Sequence, residues 1–428
     1  MGERLGGARS AGAGTPVGWL RGHRFDLLTL AAFLIGRVLA TALLVQASWQ
    51  VEPGQVEPGA VASGQVGAGQ GASGGGYWAM VGRWDGGWYR EIATQGYPAG
   101  LPDVVDGRPA WSAWAFLPLY PALVRLVMAI GALPFEVAAT VVSVAAGCVA
   151  AVLIGRLLRD QVGDWRGLAA TCVAFAAPAA PVLQVAYTES LGLALLAGFL
   201  LAVVRRRYRS AAAAALLLAV TRPIALPLLA VAVTAAATEW RRGRVRDAGV
   251  RLSLLLLLGA CVVAGVAWPA IVWAGTGRAD GYAVVGSAWW PDGAVRPFAF
   301  WPVLAGITPE PYAPLMLLTG APLVPLAALL ALGPWARRLA PPLRVWCVAY
   351  AAFLTATVQV SPSVWRYLLA FLSIPAVLVG AGWGRRGRPE ARVPLPWVVA
   401  LAAVWVVLGA SGQVVWVRFL YAGSGFTP

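Results

Sequence analysis

The stretch RWDGGWYREIATQGYP, residues 83–98, gathers charged and aromatic side chains in a chain that is otherwise mostly apolar. A carboxylate such as Asp85 can act as a general base on a hydroxyl group, and aromatic neighbours that reduce its hydration favour this role. Arg83 and Arg90 could bind phosphate oxygens, because a guanidinium group donates planar pairs of hydrogen bonds. Asp85 could instead cap a helix that begins after it, since Asp is favoured at that position.

The other side chains of this stretch also fit two roles each. Trp88 and Tyr89 could stack on a sugar ring, or could anchor the chain at a membrane interface, where Trp and Tyr are enriched. Glu91 follows at helical spacing and could either belong to a site or face water. The choice depends on the elements that hold the stretch and on the side of the membrane where it lies.

Composition predicts that these elements are membrane helices. The chain has 428 residues, of which 59% are hydrophobic and 12% charged, and its mean hydropathy is +0.72. Soluble domains carry about 25% charged residues. Several segments approach or exceed about 18 apolar residues, the length that crosses about 30 Å of hydrocarbon. We therefore predict an all-α polytopic membrane protein.

The net charge of +15 comes from arginines that lie in short clusters between the apolar segments. Such clusters are typical of cytoplasmic loops, where basic side chains resist translocation and meet anionic lipid. This distribution argues against nucleic acid as a partner. The clusters are Arg156/Arg159/Arg166, Arg205/Arg206/Arg207/Arg209, Arg241/Arg242/Arg244/Arg246/Arg251, Arg337/Arg338/Arg344 and Arg385/Arg386/Arg388/Arg392.

The histidine and cysteine content excludes several kinds of site. The only histidine, His23, lies in the basic N-terminal segment, which argues against a Ser-His-Asp triad or a His-ligated metal site. The four cysteines lie in separate apolar segments without CxxC pairing, so they are expected to be small core residues. No metal and no cofactor is expected.

Placing every arginine cluster inside the cell predicts eleven spans, with the N-terminus cytoplasmic and the C-terminus outside. The predicted spans are 26–46, 136–155, 168–186, 188–204, 211–221, 223–238, 252–273, 314–333, 343–360, 365–383 and 394–412. The stretch 116–132 is expected to be an amphipathic or re-entrant helix at the outer surface, because counting it as a crossing would put two arginine clusters outside.

The predicted organisation is one transmembrane domain, 26–412, between a cytoplasmic segment, 1–25, and an extracytoplasmic tail, 413–428. Three outer segments interrupt it. They are a flexible Gly-rich insertion at 51–76, the remainder of the first extracytoplasmic loop at 77–135, and a second large loop at 274–310.

In this arrangement the unusual polar residues gather on the outer side. Arg222 lies between two short spans, where a charge is costly unless it is paired or faces water, so it is a functional candidate. Arginines there could hold a lipid phosphate, an apolar groove could hold an isoprenoid, and a carboxylate could act on a hydroxyl acceptor. Alternatively, Arg222 and Arg366 form structural ion pairs with Glu189. Thr188 could cap the next helix, with Glu189 favourable near its N-terminus.

Several of these segments together resemble the PIG-V-type mannosyltransferase family of the GT-C superfamily, over about residues 78–370. The matching segments are WDGGWY (84–89), IATQGYP (92–98), FLPLYPALVR (116–125), AYTESL (186–191), TRP (221–223) and SPSVWRYLL (361–369). The resemblance implies a GT-C-like bundle of about eleven transmembrane helices with a large first extracytoplasmic loop.

The resemblance also implies an activity, which is inverting transfer of mannose from polyprenyl-phosphate-mannose to a hydroxyl acceptor on the outer face of the cell membrane. The acceptor stays open between glycolipid, polysaccharide and protein. Asp85 is the implied base, and Glu189 is the second candidate catalytic carboxylate. The candidate substrate-binding residues are Arg83, Trp84, Trp88, Tyr89, Tyr120, Tyr187, Arg222, Arg366 and Tyr367.

The rival class is a polytopic transporter or lipid flippase, whose intramembrane charges would serve translocation. Transporters often contain inverted repeats and polar residues at the bilayer midplane. The sequence shows no internal repeat, and its predicted polar residues crowd one face. A non-catalytic assembly subunit is a third alternative.

Overall fold

The computed structural model describes residues 16–50, 76–101, 104–105, 108–290, 293, 295–306, 319–383 and 392–423. The described residues are mainly helical, so the predicted all-α class is confirmed. One short antiparallel pair joins β1 (Val104–Val105) to β2 (Arg108–Pro109). The predicted Gly-rich insertion, except Gly76, lies outside the described residues, as do residues 1–15 of the N-terminal segment and 424–428 of the tail.

The first half of the chain forms helices before, within and after the stretch 83–98. They are α1 (Pro16–Ser48), α2 (Tyr77–Val81), α3 (Asp85–Thr94), α4 (Leu119–Gly131), α5 (Phe135–Val162), α6 (Asp164–Ala176), α7 (Glu189–Val204), α8 (Tyr208–Ala219) and α9 (Ala225–Arg241). Short 3₁₀ turns lie at Ala113–Ala115, Ala180–Gln184 and Arg244–Arg246.

The second half of the chain alternates long and very short helices. These are α10 (Ala248–Thr276), α11 (Gly281–Ser287), α12 (Phe300–Leu304), α13 (Leu323–Leu332), α14 (Pro341–Thr357), α15 (Val364–Leu368), α16 (Ile374–Leu378) and α17 (Leu395–Val415). A 3₁₀ turn lies at Pro334–Ala336, and α17 continues into a π-helical turn, Trp416–Tyr421.

Four described helical segments are long and apolar enough to cross a membrane. They are His23–Ser48, Phe135–Val162, Ala248–Thr276 and Leu395–Tyr421. Further predicted spans correspond to shorter apolar helices, namely α7, α8 and α13. The stretch expected to form a surface or re-entrant helix at 116–132 contains α4, another short apolar helix.

Three predicted boundaries are wrong. The span expected at 168–186 is not one helix, because α6 ends at Ala176 and a separate 3₁₀ turn follows at Ala180–Gln184. The span expected at 365–383 is not one helix, because α15 ends at Leu368 and α16 begins only at Ile374, followed at once by Pro375, which cannot donate to a preceding turn. The last helix does not end at 412 but continues into the turn that ends at Tyr421. Most of the apolar side chains there are buried, namely Trp416, Val417, Leu420 and Tyr421, which favours continuation.

Local signals explain where the long helices start and stop. The backbone N–H of Val250 donates to the Asp247 carboxylate at 2.8 Å, so Asp247 caps the start of α10. The same helix ends at Gly277, whose φ of 71° suits glycine.

Helix α5 is central to the bundle and packs against α1, α4, α6 and α7. Small side chains on α5, including Ala138, Ala139, Ala150 and Ala151, are buried at these contacts. Apolar helices in lipid gain little from leaving water, so close packing of small residues is a main source of their association. This packing fixes α4 and α7, two of the elements around the candidate site.

Candidate active site

The carboxylate of Asp85 contacts a guanidinium group that lies 281 residues away in the chain. Arg366 Nη1 donates to Asp85 Oδ2 at 2.6 Å, and the Arg366 side chain is 7% exposed while that of Asp85 is 25% exposed. Trp84, not Asp85, occupies the N-cap position of α3, and Asp85 lies in the first helical turn. The structure therefore directs Asp85 towards Arg366 and does not use it as the cap.

Glu189 joins Arg366 to a second arginine. Glu189 Oε1 lies 3.1 Å from Arg222 Nη1 and 3.5 Å from Arg366 Nη1, and its side chain is 4% exposed. Arg222 Nη1 also lies 3.4 Å from Thr188 Oγ1. The four charged side chains thus form a row of alternating sign, Asp85–Arg366–Glu189–Arg222, which is hereafter called the charged row. The structure thus shows the ion pairs of Glu189 with Arg222 and Arg366 that the sequence indicated as an alternative.

Three buried polar atoms at the charged row have no hydrogen-bond partner within the part of the chain that the structure describes. They are Glu189 Oε2, Arg366 Nε and the Tyr187 hydroxyl. Buried polar atoms are nearly always hydrogen-bonded, and each exception calls for an explanation such as a functional role. Their clustering here indicates a site with remaining capacity to donate to and accept from another group.

Aromatic rings line the two guanidinium groups. The Arg366 guanidinium carbon lies 4.9 Å from the ring centroid of Tyr187 and 6.0 Å from that of Tyr367. Arg222 lies 5.9 Å from the same Tyr367 ring. Such cation–π contacts stabilise the guanidinium groups and limit their rotation. Tyr187 and Tyr367, both predicted to bind substrate, therefore belong to the site.

Three rings predicted to bind substrate are packed inside the protein. Trp88, Tyr89 and Tyr120 are all buried, and Trp88 stacks on Phe116 with ring centroids 5.7 Å apart. The Tyr120 hydroxyl lies 2.9 Å from Ser143 Oγ. The structure brings neither Trp88 nor Tyr120 to the charged row with an exposed ring face. Their burial also differs from the exposed position of an interfacial anchor.

Tyr89 connects these rings to the charged residues. Its ring contacts those of Phe116 and Tyr120 edge to face, with centroids 5.3 and 5.2 Å apart. Burial raises the pKa of Tyr89, the nearby Asp85 charge raises it further, and a hydrogen bond with Thr188 lowers it. The hydroxyl therefore stays protonated at physiological pH and can donate a hydrogen bond.

The remaining predicted residues of the first loop have contacts inside the protein. Arg83 lies over the Trp84 ring at 5.6 Å, and Trp84 Nε1 donates to the Tyr421 carbonyl at 2.8 Å. Arg90 forms an ion pair with Glu136 and lies over the ring of Phe135 at 5.3 Å. Arg90 is thus engaged with the start of α5.

Two glycines allow the segments around the charged row to approach one another. The Ala186 backbone N–H donates to the Val81 carbonyl at 3.0 Å, and a Cβ on Gly86 would lie 3.0 Å from that same carbonyl oxygen. On α7, a Cβ on Gly192 would lie 2.7 Å from Arg222 Cδ. The glycine of the segment TESLG therefore leaves the space through which the Arg222 side chain reaches Glu189.

Sequence reasoning missed two residues that touch these elements. Ser363 Oγ lies 3.4 Å from Arg366 Nη2, and Tyr421 contacts the loop before Asp85. Ser363 lies inside the segment SPSVWRYLL and could have been found there, whereas Tyr421 lies in an apolar run with no polar signal.

No group of three or more His, Cys, Asp or Glu side chains in the described ranges is placed to hold a metal ion. The charged row itself consists of two carboxylates and two guanidinium groups. A carboxylate can accept a proton, and a guanidinium group can bind an oxyanion.

Comparison with known proteins gives distant structural similarity and no sequence match. No family model matches the sequence, and no curated protein matches it. The chain is similar to ArnT from Cupriavidus metallidurans bound to undecaprenyl phosphate, with 16% identity, a TM-score of 0.47, and 96% of this chain and 74% of that chain covered.

It is also similar to the Archaeoglobus fulgidus oligosaccharyltransferase tethered with an acceptor peptide. Here the identity is 14%, the TM-score is 0.42, and the alignment covers 95% of this chain and 56% of that chain. The chain thus spans a little over half the length of the archaeal protein. At identities this low, neither protein's activity transfers to this chain.

Proposed function

We propose that the chain is a membrane glycosyltransferase that moves a sugar from a polyprenyl-phosphate donor to a hydroxyl acceptor. The observation that supports this most is the charged row, in which the buried Arg366 and the half-buried Arg222 meet two carboxylates from distant segments. The resemblance of the surrounding segments to the PIG-V-type family favours mannose as the sugar and the outer face of the cell membrane as the place of reaction.

The two arginines would hold the donor phosphate. Arg366 Nε has no hydrogen-bond partner among the described residues, so this guanidinium group has donor capacity left for a phosphate oxygen. As the bond between the anomeric carbon and the phosphate oxygen breaks, the leaving phosphate gains a second negative charge. Guanidinium groups already fixed by Glu189 and the tyrosine rings would stabilise that charge without reorganising.

Asp85 would act as the base and Glu189 as the residue that orients the arginines. The Asp85 side chain is 25% exposed, so an acceptor can reach it, whereas that of Glu189 is 4% exposed. The acceptor oxygen attacks the anomeric carbon, its proton passes to Asp85, and the bonding electrons leave with the polyprenyl phosphate. Attack from the side opposite the phosphate inverts the anomeric configuration.

A direct test uses purified protein in detergent with radiolabelled polyprenyl-phosphate-mannose and a panel of glycolipid, polysaccharide and peptide acceptors. The wild type should form labelled product, and Asp85→Asn should abolish product while still binding donor. Asp280→Asn is the matched control, because Asp280 is a more exposed carboxylate that pairs with Arg278 in another loop.

The same assay separates the rival classes. A flippase forms no product in detergent, since it only moves lipid between leaflets, and an assembly subunit forms none alone. Turnover retained by Asp85→Asn would refute the assigned base. Parallel reactions with other polyprenyl-linked hexoses and pentoses would identify the sugar.

A further inference from the structure

The last helix ends in a turn that is held inside the core. In the π-helical turn Trp416–Tyr421, the Ala422 backbone N–H donates to the Val417 carbonyl at 2.9 Å. The rings of Trp416 and Tyr421 are buried and stack with centroids 5.1 Å apart. Short π-helical turns within α-helices occur frequently at functional sites.

Tyr421 makes two hydrogen bonds to the loop that precedes Asp85. Its hydroxyl donates to the Met80 carbonyl at 2.5 Å, and its own carbonyl accepts from Trp84 Nε1 at 2.8 Å. Carbonyls in the last turn of a helix lack partners within that helix, so the Tyr421 carbonyl is available to this indole. One buried residue therefore holds both ends of the segment Met80–Trp84.

This segment needs to be held, because its last residue has an unusual backbone. Trp84 has a φ of 53°, a left-handed value that a non-glycine residue keeps only where its surroundings enforce it. Trp84 is also the N-cap of α3, whose first residue is Asp85. The conformation of Trp84 thus sets the direction in which the Asp85 carboxylate leaves the loop.

We infer that Tyr421 is a positioning residue that keeps the Asp85 carboxylate directed at Arg366. Tyr421 acts through Met80 and Trp84, and the indole N–H of Trp84 is used inside the protein. The assignment of Asp85 as base, on which this inference rests, belongs to the proposed function. According to this inference, the geometry of the loop before Asp85 depends on Tyr421, which lies more than 330 residues later in the chain.

The test compares Tyr421→Phe with Tyr208→Phe. The first variant removes the hydroxyl and keeps the stacked ring, and the control removes the hydroxyl of another buried tyrosine, which contacts Glu239. Hydrogen exchange of the backbone amides of residues 80–87 should be faster in Tyr421→Phe and unchanged in Tyr208→Phe. Loss of one neutral hydrogen bond corresponds to about a fivefold change in a rate constant. The kcat of Tyr421→Phe should therefore fall about fivefold, with the donor KM unchanged.

A second variant keeps the test decisive if Tyr421→Phe folds poorly. Trp84→Phe removes the indole N–H, and it should raise exchange in the same residues. The double variant should be about as slow as the slower single variant, because both changes release one loop. Unchanged exchange at residues 80–87 in both variants would overturn the inference, as would faster exchange with unchanged kcat in an active enzyme.

Failure of the proposed function can be distinguished from failure of the inference about Tyr421. A wild type that transfers no sugar would refute the proposed activity, whereas the exchange measurement would still show whether Tyr421 holds the loop.

Discussion

Replacing Glu189 by Gln should destabilise the protein more than replacing a carboxylate that pairs with a single, more exposed arginine. The substitution keeps the shape but leaves the buried Arg366 and the half-buried Arg222 with one carboxylate, Asp85. At an effective dielectric constant of about 20, charges 3.1 and 3.5 Å apart attract by about 5 kcal/mol each. Removing the buried carboxylate also removes its desolvation cost of several kcal/mol, which leaves a loss of about 3–5 kcal/mol.

The assay is reversible unfolding in mixed micelles, with the free energy of unfolding compared between variants. Glu136→Gln is the matched control, because Glu136 pairs with the single, more exposed Arg90. Its loss should be about 1 kcal/mol or less. Equal stability of the Glu189→Gln and Glu136→Gln proteins would refute the reasoning, since the charged row would then contribute no more than a surface ion pair.

Three further outcomes follow from the same geometry. Arg366→Lys should lower kcat/KM for the donor by about 100-fold, because an ammonium group cannot replace the planar donors that meet Asp85 and Glu189; full activity in the transfer assay would contradict this. Gly192→Ala should destabilise by about 1–3 kcal/mol and lower kcat, because its Cβ would lie 2.7 Å from Arg222 Cδ. On the same helix, Gly198→Ala should do neither, since only Leu153 Cδ1 at 3.7 Å would meet its Cβ. Tyr367→Phe, which keeps the ring beside both arginines, should bind donor as tightly as the wild type, whereas Tyr367→Ala should weaken donor binding about threefold.

The meeting of Asp85, Glu189, Arg222 and Arg366 could be predicted because each of these residues lies at or near a helix end beside a polar motif. Charged residues that interrupt apolar segments have few favourable places in a membrane protein, and the topology predicted from the arginine clusters puts all four on one side. Their roles in catalysis stay predictions.

The packing of the aromatic residues could not be predicted. In a chain where most faces of a helix are apolar, periodicity does not show which ring faces a site and which faces the core. Trp88 and Tyr120 are buried for this reason, although their types suit sugar binding. Because the sequence is almost uniformly apolar there, it also did not predict the break between Leu368 and Ile374 or the continuation of α17 to Tyr421.

In the proposed reaction, the even balance of positive and negative groups around Glu189 would have a consequence for turnover. A donor phosphodiester brings one negative charge, and the lipid monophosphate left behind brings close to two. With the acceptor's proton on Asp85, the charged row would carry a net charge of +1 and bind the lipid monophosphate more tightly. Once Asp85 releases that proton to water, the net charge of the row returns to zero. Deprotonation of the base would therefore also weaken binding of the lipid monophosphate and allow the next donor to bind.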